Sequence, residues 1–348
     1  MKIELPGVML SYRLVVICVA LTGILLSASL AVFVWFKQLD EWQQRFDLGA
    51  MRHQHAVESK LSDIANALDD VGRFVAASEE VTEAEFRFFV TPLLKLFYGL
   101  SWIEPVPADA PAATTGVRWH DMSPGCHTSD RDWRYPIRHY VTNYSGDGLT
   151  GLDMRCDEKR LTAMLHARDS GQLTATDEVI LLARPLPGLA LFRPVFRGLP
   201  DKGEGSRPDG RRAHLRGYVS AGVNFSGMFG PELAALGDTG LYQVALSSQA
   251  ATGEHVWLSW GGGKGLALPW ERKVQLRFAR KQMTLRISPT RQFWLQRHDA
   301  TPLLILLAGL AYTALIVAWM NSQNKRRRQA EMLAIARSDD LIDREARL

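Results

Sequence analysis

Two stretches of the chain are apolar without interruption, and the sequence between them alternates between helix-like and strand-like patterns. Leu14 to Phe36 carries no charge over 23 positions. As a helix that run rises about 34 Å, enough to cross a hydrocarbon core of about 30 Å. Leu303 to Met320 is a second, shorter run, which Thr301 and Pro302 extend into the interface. Trp35 and Trp319 stand at span ends, where amphipathic rings favour the headgroup level. The first run exceeds the apolar core of a cleaved signal peptide, and Trp35-Phe36-Lys37 offers no small-residue cleavage site. It reads as an uncleaved anchor.

Between the runs, Gln38 to Ser78 reads as one long helix without proline. Leu39, Trp42 and Phe46 step by threes and fours, His53 and Ala56 follow a weaker turn, and Leu61, Ile64, Leu68, Val71 and Val75 continue after a shift of register. Such heptad-like spacing fits a helix packed on its own domain or a dimer helix continuing the first span. We take the second. A further helix starts near Thr82, with Glu85 completing a capping box, and Pro92 kinks or splits it. Strands are expected at residues 100–106, 135–141, 178–183, 189–196, 217–224, 241–247, 255–260, 273–280 and 283–288. Glu158 to Ser170 reads as a helix ended by Gly171, and Met228 to Leu236 as a short one. Residues 105–124 and 199–212 read as surface loops. Strands following helices in two successive groups predict an α+β domain with two sheets.

Composition sharpens this picture once it is resolved along the chain. The 348 residues are 47% hydrophobic and 22% charged with a net charge of +4, and mean hydropathy is −0.09. These averages exclude a mostly membranous transporter and a disordered chain. Three cysteines exclude a disulfide scaffold. Lys325-Arg-Arg-Arg follows the second run, so positive charge places that end, and with it the N-terminus, in the cytoplasm. Residues 37–299 then lie outside a cell inner membrane. So close to a span, the basic run reads as a topology signal and not as a nucleic-acid patch. No ionisable residue interrupts either span, as a transport path would require. The layout is that of a one-piece transmembrane sensor.

Catalytic motifs are missing: the sequence has no nucleophile elbow, P-loop, HExxH or GxGxxG. Gly261-Gly-Gly-Lys-Gly lacks the P-loop spacing and reads as a turn. His120, Cys126, His127, Asp130 and Asp132 are metal-ligand types, irregularly spaced in one loop. They support a rival reading, a membrane-anchored periplasmic metal-dependent enzyme with its metal at His120, Cys126 and His127. On the sensor reading no metal, cofactor or catalytic residue is expected. Cys126 and Cys156 are the two outside cysteines, in a compartment that permits disulfides, and are candidates for a bridge pinning the loop to the following helix. Asp153, between a strand-like segment and a helix, reads either as a helix-start carboxylate or as a pocket carboxylate accepting hydrogen bonds from a ligand N–H.

An ordered set of segments carries a family resemblance: Leu100-Ser-Trp-Ile-Glu-Pro-Val, Tyr135-Pro-Ile-Arg-His-Tyr, Gly151-Leu-Asp-Met, Leu165-His-Ala-Arg-Asp-Ser-Gly-Gln-Leu-Thr-Ala-Thr, Leu191-Phe-Arg-Pro-Val-Phe and Arg216-Gly-Tyr-Val. In this order, and between two spans, residues 86–229 resemble the CHASE domain, the extracytoplasmic sensor of bacterial and plant receptors. The resemblance implies a long stalk helix followed by two PAS-like lobes, the membrane-distal one holding a small-molecule ligand. It implies boundaries at 37–80 for the stalk, 81–232 for the distal lobe and 233–299 for the proximal lobe, between spans at 14–36 and 300–320, with 1–13 and 321–348 cytoplasmic. Asp153 matches the aspartate that holds the adenine edge in the plant cytokinin receptors this chain resembles. A backbone contact falls near Ala175. Phe192 replaces the family's pocket threonine, which argues against cytokinin itself and leaves an adenine-like or other small organic ligand. Tyr135, Ile137, Tyr140 and Leu191 are the expected pocket walls.

Gly23, Ser27 and Ala31 in the first span, and Ala314 and Ala318 in the second, have the small-xxx-small spacing that permits close helix approach, read here as a homodimer contact. The tail from Asn321 reads as a helix with Ala334, Leu341 and Leu348 at heptad spacing. It is too short for an enzyme. Receptors of the kind resembled continue into a histidine kinase, a nucleotide cyclase or a cyclic-di-GMP enzyme, so the expectation is a fragment whose output domain is missing. A structural dimerisation module without ligand is the third reading.

Overall fold

The computed structural model describes residues 6–111, 118–122, 126, 128, 130–144, 147–198, 207–250, 253–261, 270–295 and 299–345. His127, residues 262–265 of the glycine-rich turn, residues 199–206, parts of the 105–124 loop, and Leu348 lie outside the described residues. The chain divides into two compact units, residues 46–295 and residues 1–45 with 296–348.

In the larger unit, helix α1 (Pro6–Ala77) contributes its C-terminal half. Helix α2 (Glu83–Val90) starts at the expected capping box: Thr82 and Glu85 each satisfy the other's backbone N–H. Pro92 splits the segment, and a 3-10 turn over Thr91–Lys95 replaces the helix. Strands β1 (Gly99–Ile103), β2 (Val106–Pro107), β3 (His120–Asp121), β4 (Trp133–Arg134), β5 (Ile137–Val141) and β6 (Leu152–Asp153) precede α3 (Glu158–Ser170). Helix α3 has Asp157 as its N-cap and Gly171, at φ +70°, as its left-handed stop. Then follow β7 (Thr174–Ala175), β8 (Val179–Ile180), β9 (Pro187–Phe196), α4 (Pro208–His214), β10 (Leu215–Val223), α5 (Phe225–Ala234), β11 (Tyr242–Ala250), β12 (Gly253–Trp260), β13 (Arg272–Phe278), β14 (Lys281–Pro289) and α6 (Arg291–Leu295).

The strands form two main antiparallel sheets, giving an α+β molecule. The first sheet has the order β5-β1-β10-β9-β7, with β8 added to β9, and the second β12-β11-β14-β13. In the first, successive side chains point to opposite faces. Leu100 and Trp102, Val219 and Ala221, and Leu191 share one face and join Ile64, Leu68, Val71 and Val75 of α1 in a single core. Ile103, Tyr218, Ala190 and Phe192 share the other face and join Leu161, Met164 and Ala167 of α3. In the second sheet Val244, Leu246, Leu285 and Ile287 are buried with Phe46, Ala50 and Val57 of α1. Alternate residues of β14 remain partly or fully solvated, as expected of a sheet with one wet face.

This packing corrects the seam reading of α1. Phe46, Leu61, Ile64, Leu68, Val71 and Val75 are buried against the chain's own sheets and not held free for a second copy. Each such side chain contributes about 1.5–3 kcal/mol by leaving water, so the stripe is stabilised within one chain. Helix α4 corrects the loop expected over 199–212. It buries no residue, so it left no hydrophobic period to read.

In the smaller unit α1 is accompanied by α7 (Thr301–Glu345), which continues as helix through Lys325-Arg-Arg-Arg. Both helices are long and apolar enough to cross a membrane. The small residues of the first span are used within the chain. A Cβ on Gly23 would come 2.4 Å from Thr313 Oγ1, and one on Gly309 would come 2.2 Å from Ser27 Oγ. Ser27 and Thr313 return their hydroxyl protons to Gly23 and Gly309 carbonyls one turn back, at 2.7 and 2.8 Å.

Candidate functional site

The face of the first sheet turned away from α1 carries a cavity. Its floor is made of small residues on adjacent strands: Gly99 and Ser101 of β1, Ser220 and Gly222 of β10, and Ala190 of β9. Register places Gly99 beside Gly222 and Ser101 beside Ser220. Ile137 and Tyr140 of β5, Phe192 of β9 and Met154 form walls, and Arg160 of α3 with Leu181–Ala183 closes the top. The concavity holds about 430 Å³ of non-atom space, counting its opening to solvent.

Small floor residues are a steric requirement. A Cβ on Gly99 would come 2.5 Å from the Tyr140 hydroxyl oxygen, and one on Gly222 would come 3.3 Å from Leu181. The Tyr140 hydroxyl is buried in the cavity wall. Burial raises its pKa, and the neighbouring Thr142 hydroxyl opposes that rise. Tyr98 stands at the rim, stacked on Tyr144 at 5.4 Å, with the Arg184 guanidinium 5.7 Å over the Tyr144 ring. Burial raises the Tyr98 pKa, with a smaller contribution from Tyr144 and an opposing one from Arg184.

Charge in the cavity is confined. Among its described lining residues there is no carboxylate and one cation, Arg160. That guanidinium pairs with Asp157 through Nη1 and donates from Nη2 to the Ile180 carbonyl at 2.7 Å.

Of the residues singled out from sequence, Ile137, Tyr140 and Phe192 line the cavity together. Leu191 does not: one step along a strand reverses the face, and it lies in the α1 core. Ala175 pairs with Leu191 across β7 and β9, and its N–H donates to the Ala279 carbonyl at 3.1 Å. Tyr135 is fully buried beside the cavity, where its hydroxyl donates to Asp130 Oδ2 at 2.6 Å. Its pKa is raised by burial first, then by Tyr218 and Asp130.

Asp153 is also fully buried and does not line the cavity. Its Oδ1 accepts from the Tyr135 N–H at 3.0 Å and the Arg155 N–H at 3.1 Å. Its Oδ2 faces Arg134 Nη1 at 3.3 Å and Arg155 Nε at 3.1 Å. This carboxylate caps the 3-10 turn Met154–Cys156 and fixes Met154 in the cavity wall.

Cys126 and Cys156 are joined as a disulfide with Cα atoms 5.2 Å apart. This corrects the metal reading at its centre, because a bonded Cys126 offers no thiolate to share with His120. Ser101, Ser220 and Ala190 escaped sequence reasoning. The available signal was the strand alternation itself, since Ser101 lies between buried Leu100 and Trp102, and Ser220 between buried Val219 and Ala221.

Comparison with known proteins gives a family. The model of the CHASE domain matches residues 79–255. No curated protein matches the chain. Among solved structures it is similar to the ligand-binding domain of the Pseudomonas fluorescens chemoreceptor CtaA in complex with L-isoleucine, at 10% identity and TM-score 0.44, over 74% of this chain and 96% of that one. It is similar to that of the Pseudomonas aeruginosa PAO1 amino acid chemoreceptor PctB with L-Arg, at 13% identity and TM-score 0.39, over 71% and 96%. A third is that of PctC of the same organism with GABA, at 11% identity and TM-score 0.38, over 71% and 98%. The family match spans just over half of the sequence and contains both the cavity strands and the cap of α3, and the chain belongs to the CHASE domain family of sensor receptors for small ligands.

Proposed function

We propose that this chain is the input half of a two-span inner-membrane receptor. A small molecule binds in the cavity on the first sheet, and the change is relayed to a cytoplasmic output beyond the sequence given, a histidine kinase or a cyclic-nucleotide or cyclic-di-GMP enzyme. The chain itself performs no catalysis. Both termini are cytoplasmic, as Lys325-Arg-Arg-Arg beside the second span supports. The distal lobe, residues 81–232, holds the ligand, the proximal lobe is 233–299, and the stalk is 37–80. The receptor works as a homodimer, for which Leu48 and Met51 on the exposed face of α1 are available.

One observation carries the reading. A strand-built cavity in the matched region combines a floor of glycine, alanine and serine with a buried tyrosine hydroxyl in its wall. Small-molecule sites are mostly apolar concavities with few convergent polar groups. Ile137, Tyr140 and Phe192 contact the ligand directly. Asp153 and Tyr135 act through the wall they position, while Ala175 and Leu191 connect the distal strands to the α1 core. Adenine-like molecules and the amino acids held by the similar domains are both worth screening.

The test is thermal unfolding of the full chain in nanodiscs against a library holding both classes. A ligand that raises Tm in the parent protein and loses that effect in Ser220→Leu, a variant that fills the floor, supports the reading. A ligand whose stabilisation is the same in Ser220→Leu overturns it.

A further inference from the structure

The cavity floor carries two hydroxyls that the fold does not use. Ser101 of β1 and Ser220 of β10 are 5% and 9% exposed, stand opposite each other in register and both line the cavity. Neither side chain has a hydrogen-bond partner among the described residues. Buried threonines at the edge of the same sheet do use theirs. Thr176 Oγ1 accepts from the Ala190 N–H at 3.0 Å, and Thr174 Oγ1 donates to the Gln172 carbonyl at 3.2 Å. Side chains opposed across an antiparallel pair lie about 5 Å apart at Cβ. One acceptor atom lying over the floor is therefore within reach of both serines.

The same lining limits charge. No carboxylate lines the cavity among the described residues, so a ligand ammonium would enter without a counter-charge. The lining cation, Arg160, is already committed: Nη1 pairs with Asp157, and Nη2 donates to the Ile180 carbonyl at 2.7 Å. A ligand carboxylate would compete with Asp157 and leave one of the two carboxylates without its partner. Burying an unpaired charge costs far more than burying a neutral dipole whose hydrogen bonds are made. A wholly apolar ligand fails for the opposite reason, since it would seal two hydroxyls from water with nothing to bond.

We infer that the ligand is an uncharged molecule bearing a carbonyl or amide oxygen, and that Ser101 and Ser220 together donate to that oxygen. This rests on the cavity being the ligand site. The two serines are alternative donors to one acceptor, so either alone retains a bond and both must go for recognition to fail. Free amino acids, which carry both charges, fall outside this class, and neutral amides of similar size fall within it.

The test is thermal unfolding of the full chain in nanodiscs with probes alike in size and different in charge: benzamide against benzoate and benzylamine, and isocaproamide against L-leucine. Each is measured on the parent, on the double variant Ser101→Ala with Ser220→Ala, and on Ser220→Leu. An amide should raise the parent's Tm, and the charged probes should not. The amide's Kd, read from the concentration dependence of that shift, should rise about tenfold or more in the double alanine variant. The ligand-free Tm of that variant should equal or exceed the parent's, because it loses two buried hydroxyls that had no partner. A fall in that Tm assigns the hydroxyls to the fold and overturns the inference, as does an amide Kd unchanged by the double substitution. A charged probe that stabilises the parent but not Ser220→Leu overturns the ligand class while the cavity stands, and so does the absence of a shift from both amides. An amide shift undiminished in Ser220→Leu is a separate failure, that of the cavity itself.

Discussion

Ser101 and Ser220 sit directly opposite each other on β1 and β10, and this neighbouring pair forms the polar centre of an otherwise apolar cavity floor. Each is flanked along its strand by residues buried in the other core, so neither can be enlarged without closing the cavity. Ser220→Leu should therefore abolish the Tm shift given by any ligand of the cavity, while Ser220→Ala should keep most of it. Thermal unfolding with and without that ligand separates the two.

Tyr218 makes an opposite kind of prediction. It is fully buried on the same sheet face, and its hydroxyl has no hydrogen-bond partner among the described residues. Burial raises its pKa, against the influence of the nearby Arg168. An unmet buried hydroxyl costs about 1–3 kcal/mol. Tyr218→Phe should stabilise the ligand-free protein by about 1 kcal/mol, seen as a rise in Tm or in denaturant midpoint.

Gly217 tests the close approach of β1 to β10. A Cβ there would lie 2.3 Å from the Ile103 carbonyl oxygen and 2.5 Å from the Trp102 ring. A backbone atom cannot give way as a flexible side chain can. Gly217→Ala should cost about 2 kcal/mol or more, measured by chemical denaturation.

Much of this architecture is legible in the sequence, and the misses have physical causes. Glu158–Ser170 and its stop at Gly171 are local, because cap and left-handed turn act on their own neighbours. So are Thr82 with Glu85 and the break at Pro92. Heptad-like spacing in α1 shows that a stripe is apolar but carries no information on what covers it. Here the sheets of the same chain do. The cavity is half legible for a similar reason. Ile137, Tyr140 and Phe192 could be nominated as apolar or aromatic strand residues, but Leu191 was one residue out of phase, a shift that period alone cannot detect without the register of β9 on β10. Asp153 is a long-range case. Its partners Arg134 and Tyr135 lie about one strand connection away, and the sequence shows no sign that they consume its lone pairs.

The same network predicts the effect of removing Asp153. Arg155 would lose its carboxylate, and Arg134 would keep Asp121, 3.3 Å from its Nη1 and more exposed than Asp153. Asp153→Ala should destabilise the ligand-free protein by about 3–5 kcal/mol, the range for breaking a buried pair. The adenine-edge role implied by family resemblance predicts a different result, an unchanged ligand-free Tm with loss of ligand binding alone. Unfolding measured without ligand distinguishes them.

His139 gives a pH dependence whose sign can be worked out. Its ring is buried beside Phe86, and Nε2–H donates to the Val81 carbonyl at 2.7 Å, tying β5 to the segment before α2. Burial lowers its pKa below the usual imidazole value of 6.5, outweighing the backbone hydrogen bond to Val81, which raises it. The unfolded chain therefore binds a proton at His139 more readily than the folded one. Its folded, neutral form is fully favoured above the unfolded pKa, and stability is lost as pH falls below 6.5 through the lower folded value. His139→Gln retains a side-chain donor without the titration, so its Tm should fall less steeply than the parent's on acidification below pH 6.5. A slope in His139→Gln of the same size as the parent's between pH 5 and 6.5 would assign the acid loss to other groups.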